Sequence, residues 1–125
     1  LETSVTWDNL HRVHEGVRAC IKARPDTMCM THASHFYPQG TNLYFIFLMR
    51  TSETEEFRSF QRGVIRSIME NGGSLSHHHG VGRMMGPCLE EYLGEEQMGA
   101  LRALKKHFDP MGIMNPGGQL GLDLP

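Results

Sequence analysis

Apolar residues recur along this chain at two periods, and the change of period divides it into elements. Leu10, Val13, Val17, Cys20 and Ile21 are spaced three and four apart, the stripe of an amphipathic helix. Thr6 stands where it can cap that helix, Asp8 suits the positive end of its dipole, and Arg24-Pro25 ends it. The next stretch predicts a hairpin, with residues 27–37 as one strand, "PQGTN" as the turn and residues 43–49 as the second strand. "LYFIFLM" is nearly all apolar, the pattern of a central strand covered on both faces. A second helix follows, with Ser52 or Thr54 as cap and Glu53, Glu55 and Glu56 near its start. Its buried stripe is Phe57, Phe60, Val64, Ile65, Ile68 and Met69, and Asn71-Gly72 stops it. "SLSHHH" reads as a short strand and "GVGRMMGP" as a loop. A third helix carries Met98, Leu101, Leu104 and Phe108, with Lys105, Lys106 and His107 in its last turn and Asp109-Pro110 as its stop. The tail "MGIMNPGGQLGLDLP" is turn-rich and is expected to lie against the rest of the protein. The order helix, strand, strand, helix, strand, helix predicts an α+β fold, an antiparallel sheet with helices packed on it.

Composition narrows the classes. The 125 residues suit one modest domain, and 39% hydrophobic with 21% charged residues suit a folded one. Twelve basic against fourteen acidic side chains argue against a general nucleic-acid binder. No apolar run approaches the roughly 20 residues of a membrane span. "LETSVTWDNL" shows no basic start followed by an apolar stretch, so no secretory signal is visible. Cys20, Cys29 and Cys88, odd in number and irregular in spacing, favour a reduced, intracellular setting. Nine methionines suggest adaptable packing surfaces.

The candidate chemistry lies in "GGSLSHHHGVGR", residues 72–83. An affinity tag is longer and terminal, and this run continues from a predicted strand. In an extended chain successive side chains alternate faces, so His77 and His79 would share one face and His78 would point away. Three adjacent histidines then close poorly on one ion, and no metal is expected. The pairs His11/His14 and His32/His35 leave a composite site open. Hydrogen-bonded structural histidines are the bland alternative, but adjacent imidazoles between glycines serve little structural purpose. The remaining reading is the wall of a flavin or substrate site, where imidazole donates to negative charge or holds a proton and flanking glycines allow close approach.

"NGGSLSHHHGVGR", residues 71–83, closely resembles the histidine motif of the alkyldihydroxyacetonephosphate synthases, FAD-linked oxidases of the vanillyl-alcohol oxidase superfamily. "ETSVTWD" and "GTNLYFIF" resemble the same family in the same order, and "FDPMGIMNPGG" is similar to the C-terminal signature of many FAD-linked hydroxyacid oxidases. The resemblance implies that residues 1–125 are a C-terminal fragment: part of the cap or substrate domain plus the C-terminal segment. The FAD-binding domain would stand N-terminal to it, since no phosphate-cradling glycine loop before a helix occurs here. FAD is then the implied cofactor, held mainly by that domain, and the fragment alone is expected to be inactive.

The resemblance also assigns roles. Tyr44 matches the tyrosine that exchanges a proton with substrate, a role that needs neighbours able to stabilise the anion of a group with free pKa ~10. His77, His78 and His79 match the triplet needed for activity, with His78 and His79 placed to stabilise charge on reduced flavin or substrate oxygens. Arg83, where the synthases typically carry Lys, would meet an anionic substrate group. Beside the resemblance, His35 lies nine residues before Tyr44 across the predicted hairpin, either to orient that phenol on the substrate side or as a satisfied strand histidine, and Asn115 either fixes a turn beside the flavin or simply starts the turn.

The implied reaction exchanges the acyl group of an acyl-dihydroxyacetone phosphate for a fatty alcohol, in ether-lipid synthesis and without net oxidation. The C-terminal segment departs from that of the synthases. Two alternatives therefore stand: an FAD-dependent oxidoreductase acting on a 2-hydroxy acid, and a metal- or partner-binding module. The expected partners are the parent chain's FAD domain and a small-molecule or lipid substrate, with a homodimer left open. The expected location is bacterial cytoplasm, or the peroxisome for a eukaryotic synthase.

Overall fold

The computed structural model describes residues 1–118; of the tail 111–125, residues 119–125 lie outside the described residues, and Met111, Ile113 and Met114 are exposed. The element order is β1 (Glu2–Thr6), α1 (Leu10–Lys22), β2 (Thr27–Ser34), β3 (Gly40–Met49), α2 (Thr54–Glu70), α3 (Gly82–Leu93) and α4 (Glu95–Phe108). The fold is α+β, with a three-stranded antiparallel sheet in the order β1-β3-β2. The chain divides into two compact units, residues 1–79 and residues 80–118 of the described chain.

In the first unit, alternate residues of β1 and β3 face helices α1 and α2. Val5, Leu43 and Phe45 join Val13, Val17, Ile21, Val64 and Ile68 in one buried cluster, and Phe47 and Phe60 flank it. Val13, Val17 and Ile21 of the α1 stripe and Val64, Ile65 and Ile68 of the α2 stripe are buried, whereas Phe57, expected in the α2 stripe, is exposed. Gly40 permits the close crossing of β1: a Cβ there would lie 1.9 Å from the Val5 carbonyl oxygen, inside any allowed contact.

Several expectations need correction. The order helix, strand, strand, helix, strand, helix omits β1, which opens the chain. Its Thr3-x-Val5 alternation has strand period, but five residues are short. α1 starts after Asn9 rather than Thr6, and Asn9 does not cap it; Asn9 Nδ2 donates instead to the carbonyls of Asn71 and Gly72, at 2.9 and 3.2 Å. Neither Ser52 nor Thr54 caps α2, whose N-cap is Glu53. The hairpin turn spans residues 35–39, not 38–42, because Tyr37 and Gly40 close it with paired backbone hydrogen bonds. His35 lies just past β2, in the left-handed region with φ 54°. Gly72 takes the left-handed conformation after α2, whereas Asn71 does not.

β3 is central, as its apolar run indicates, yet it is not covered on both faces. Met28 and Met30 of β2 and Ile46 and Leu48 of β3 are between 46% and 61% exposed. They share the face opposite the helices.

"SLSHHH" is a bent loop, not a strand. Ser74 N–H donates once to the Ser4 carbonyl, but the next amides that a strand would offer to the β1 edge go to a carboxylate. In the second unit, "GVGRMMGP" enters α3 rather than forming a loop. Pro87 sits inside that helix and costs it a hydrogen bond, while Met85, Cys88 and Leu89 form a buried stripe at spacings of three and four. α4 carries Glu95 and Glu96 in its first turn and the expected Lys105, Lys106 and His107 in its last, and Asp109 ends it. No helix among the described residues is long and apolar enough to cross a membrane.

Candidate functional site

The site is assembled from register. Glu2 of β1 and His32 of β2 both stand opposite Tyr44 of β3, so the three form a row across the face away from the helices. Glu2 is fully buried because residues 74–79 fold over it. Its Oε1 accepts from Ser76 Oγ at 2.7 Å and from the amides of His77, His78 and His79 at 2.8, 3.3 and 3.3 Å. Its Oε2 accepts from Asn42 Nδ2 at 2.6 Å. Burial alone would raise the carboxyl, but the Ser76 hydroxyl and the amides of His77, His79 and His78 outweigh it and bring the pKa from 4.5 down to about 2. Ser4 and Ser74 tie the start of the loop to β1 through a 2.8 Å contact between their hydroxyls.

Wrapping the backbone round one carboxylate also redirects the imidazoles. Tyr44 Oη lies 2.8 Å from His78 Nε2 and 2.9 Å from His79 Nε2. The expectation that His78 points away from its neighbours fails, because a bent loop does not alternate faces. His77 turns the other way: its Nδ1 lies 2.8 Å from His78 Nδ1 and its Nε2 lies 3.2 Å from Tyr37 Oη. The carboxylate also approaches His78, with Nδ1 3.9 Å from Glu2 Oε2.

A phenol has one proton. Of the two nitrogens on neutral Tyr44, one accepts that proton and the other donates to the oxygen; on the phenolate, both donate. The arrangement can therefore remove the proton and hold the anion, the general-base and oxyanion functions in one place.

The family model for FAD linked oxidases, C-terminal domain, matches residues 1–118. This chain belongs to that family. An uncharacterized FAD-linked oxidoreductase of Escherichia coli O157:H7 is 35% identical over 93% of this chain and 26% of its own length. Alkyldihydroxyacetonephosphate synthase of Dictyostelium discoideum is 32% identical over 92% of this chain and 20% of its own length. A solved structure of alkyldihydroxyacetonephosphate synthase matches with TM-score 0.59 at 25% identity, covering 93% of this chain and 19% of that one. The chain thus spans about a quarter or less of the length of these relatives.

The other candidate residues of this FAD-linked oxidase domain are placed as follows. His35 does not reach Tyr44. Its Nδ1 lies 3.0 Å from Ser34 Oγ, and its ring stands 5.4 and 4.8 Å from the rings of His77 and His78. One nitrogen from each of His35, His77 and His78 falls within a 4.8 Å group that could hold an ion. Every nitrogen of His77 and His78 is already hydrogen-bonded, so an ion would displace one of those bonds on each. Arg83 and Asn115 belong to the second unit. Arg83 Nη2 donates to the Pro116 carbonyl at 3.1 Å, and Asn115, at φ 49°, accepts the Gly118 amide at 3.0 Å in a turn. Sequence reasoning missed Glu2, Ser76, Asn42 and Tyr37. Glu2 had one signal, an acidic residue in a short strand of otherwise neutral residues.

Proposed function

We propose that this chain is the substrate-side part of an FAD-dependent enzyme resembling alkyldihydroxyacetonephosphate synthase, with Tyr44 exchanging a proton with substrate and His77, His78 and His79 supporting it. One observation carries the reading: the Tyr44 hydroxyl sits between two imidazole Nε2 atoms at 2.8 and 2.9 Å, over a buried carboxylate. A core tyrosine needs one partner; two convergent nitrogens offer both an acceptor for the phenol proton and a donor to its oxygen.

The residues fit the ring end of FAD. The sheet face beside Tyr44 is apolar through Met28, Met30, Ile46 and Leu48, all exposed, and the imidazoles at its edge can donate to an electron-rich ring. No glycine loop leading into a helix that would cradle a pyrophosphate occurs among the described residues, and a separate FAD-binding domain of the same parent chain is part of the proposal. Bound FAD supplies electron-accepting chemistry; this chain's part is to cover, orient and move protons. Tyr44 gives or takes the substrate's proton, His78 exchanges it with Tyr44, and His79 donates to the Tyr44 oxygen. Arg83 meets an anionic group of the substrate, and Asn115 shapes its turn near the cofactor. The substrate is an acyl-dihydroxyacetone phosphate exchanging its acyl group for a fatty alcohol. Residues 1–125 alone are inactive.

The test uses the full-length, FAD-loaded enzyme. Tyr44→Phe should lower turnover by about 10² to 10⁴, the span of a lost general acid–base group, with FAD still bound. Incorporation of isotope-labelled fatty alcohol without net flavin reduction supports the synthase reaction.

A second reading, oxidation of a 2-hydroxy acid, has its own support. Glycolate oxidase subunit GlcD of Bacillus subtilis is 42% identical over 60 residues, 48% of this chain and 13% of its own length. Anaerobic bleaching of the flavin by glycolate would select it.

A further inference from the structure

We propose that Tyr44, His78, His77 and Tyr37 form a proton relay that connects the candidate catalytic phenol to solvent, with Tyr37 as its outlet. The inference rests on the reading of Tyr44 as a proton-exchanging residue and adds to it a route and one residue, Tyr37.

The chain of contacts is unbroken. Tyr44 Oη meets His78 Nε2 at 2.8 Å, His78 Nδ1 meets His77 Nδ1 at 2.8 Å, and His77 Nε2 meets Tyr37 Oη at 3.2 Å. Both nitrogens of both imidazoles are used, which a proton wire requires and two structural histidines do not. Tyr37 is 45% exposed, so its hydroxyl can exchange with water. The Trp7 Nε1–H holds the Tyr37 carbonyl at 3.0 Å, which keeps the outlet beside the triplet.

Donor and acceptor roles agree along the whole chain. Let Tyr44 donate to His78 Nε2. Neutral His78 then carries its proton on Nδ1 and donates it to His77 Nδ1. Neutral His77 carries its proton on Nε2 and donates to Tyr37, whose own proton faces solvent. His79 Nε2–H donates to Tyr44 throughout.

One transfer breaks Tyr44 Oη–H and forms His78 Nε2–H. It breaks His78 Nδ1–H and forms His77 Nδ1–H, then breaks His77 Nε2–H and forms a new Tyr37 Oη–H as the old Tyr37 proton passes to water. The net change is one Tyr44 phenolate and one proton in bulk solvent. Both imidazoles end as the opposite tautomer, and the phenolate is left between two N–H donors, His78 Nε2–H and His79 Nε2–H. The return trip reverses each step.

The titratable groups around the wire are Glu2, below it; His35, beside His77 and His78; His32, whose ring is 6.1 Å from that of Tyr44; and His79. Glu2 is the only acidic group within salt-bridge distance of the wire among the described residues. It lies where the proton's positive charge passes, 3.9 Å from His78 Nδ1.

The test compares wild type with Tyr37→Phe, His77→Gln and Tyr44→Phe, all treated with chelator so that no ion occupies the imidazoles. In the ¹⁵N-histidine-labelled chain near pH 7.5, long-range nitrogen–proton correlations read the tautomers. The relay requires His78 and His77 to carry protons in the same sense: Nδ1–H with Nε2–H, or Nε2–H with Nδ1–H. Tyr37→Phe should change the tautomer balance of His78, which it does not touch. Same-type tautomers, both Nδ1–H or both Nε2–H, or a His78 signal blind to Tyr37→Phe, would overturn the wire.

In the full-length, FAD-loaded enzyme, Tyr37→Phe and His77→Gln should each slow turnover at least about tenfold, and added imidazole buffer should restore much of it by supplying protons from outside. Wild-type rates, or losses that buffer does not repair, count against the relay. If Tyr44→Phe is inactive while Tyr37→Phe turns over normally, the relay fails and the assignment of Tyr44 stands. If Tyr44→Phe stays fully active, the proposed function fails first.

Discussion

Two loops in this protein are each built around one carboxylate, and they use it differently. Asp109, at the end of α4, accepts Lys105 Nζ at 2.5 Å and the amides of Ile113 and Met114 at 2.9 and 3.0 Å. The Lys105 bond first, and then the two amides, hold its carboxyl below the usual range against the pull of burial. Glu2 accepts only neutral donors: a hydroxyl, a side-chain amide and three backbone amides. Asp109 is neutralised by a cation on its own helix, one turn away, so its loop is closed electrostatically. The charge of Glu2 is solvated by dipoles but not cancelled. Its Oε2 lies 3.9 Å from His78 Nδ1. A turn that only has to hold its shape can use an ion pair. A loop that holds three successive imidazoles in place does so here through dipoles gathered on one buried carboxylate.

The comparison breaks first at Glu2. Glu2→Ala leaves the Ser76 hydroxyl, the Asn42 amide and three backbone amides without their acceptor, and should destabilise the fold by about 3 kcal/mol or more, read from urea midpoints at neutral pH. The loop's histidines should lose their fixed tautomers in the same variant.

Next comes acid. The folded carboxyl of Glu2 titrates at about 2 against 4.5 unfolded. A depressed pKa stabilises above the unfolded value and is lost as pH falls through the window from 4.5 to about 2. Glu2→Gln lacks this contribution, so the stability gap between it and wild type should be full above pH 4.5 and should narrow steadily below it. A gap unchanged across that window would mean that shape, not charge, is what Glu2 provides.

Asp109→Asn should have a smaller effect. It keeps one acceptor oxygen for the Ile113 amide but loses the ion pair, so melting temperature should fall modestly while the His77–His78 tautomers stay as they are. The smallest effect should appear in hydrogen exchange: the His77 amide, 2.8 Å from a fully buried oxygen, should exchange more slowly than the Met114 amide.

α1 and α2 were legible because each buries a regular stripe; α4 falls where the 3.6-residue period puts it, although of its stripe Met98 is buried and Leu104 and Phe108 are exposed. Elements failed to read where a local signal pointed elsewhere. Gly82, Gly86 and Pro87 suggest a loop, yet Met85, Cys88 and Leu89 bury enough apolar surface to make α3 a helix. The "SLSHHH" segment alternates like a strand, but the amides of His77, His78 and His79 go to a carboxylate from a residue more than 70 positions away.

The same split holds for the chemistry. From residue types and their order alone came the α+β class, the family, and the short list of Tyr44 with His77, His78 and His79, because these depend on local period and on motif. The tertiary structure decided that Glu2, Tyr44 and His32 share one row, that His78 rather than His77 joins His79 on the phenol, and that Tyr37 closes the line. Those facts follow from strand register and from a loop bent round a buried charge. Both are set by contacts between residues far apart in the chain, which no local window of sequence contains.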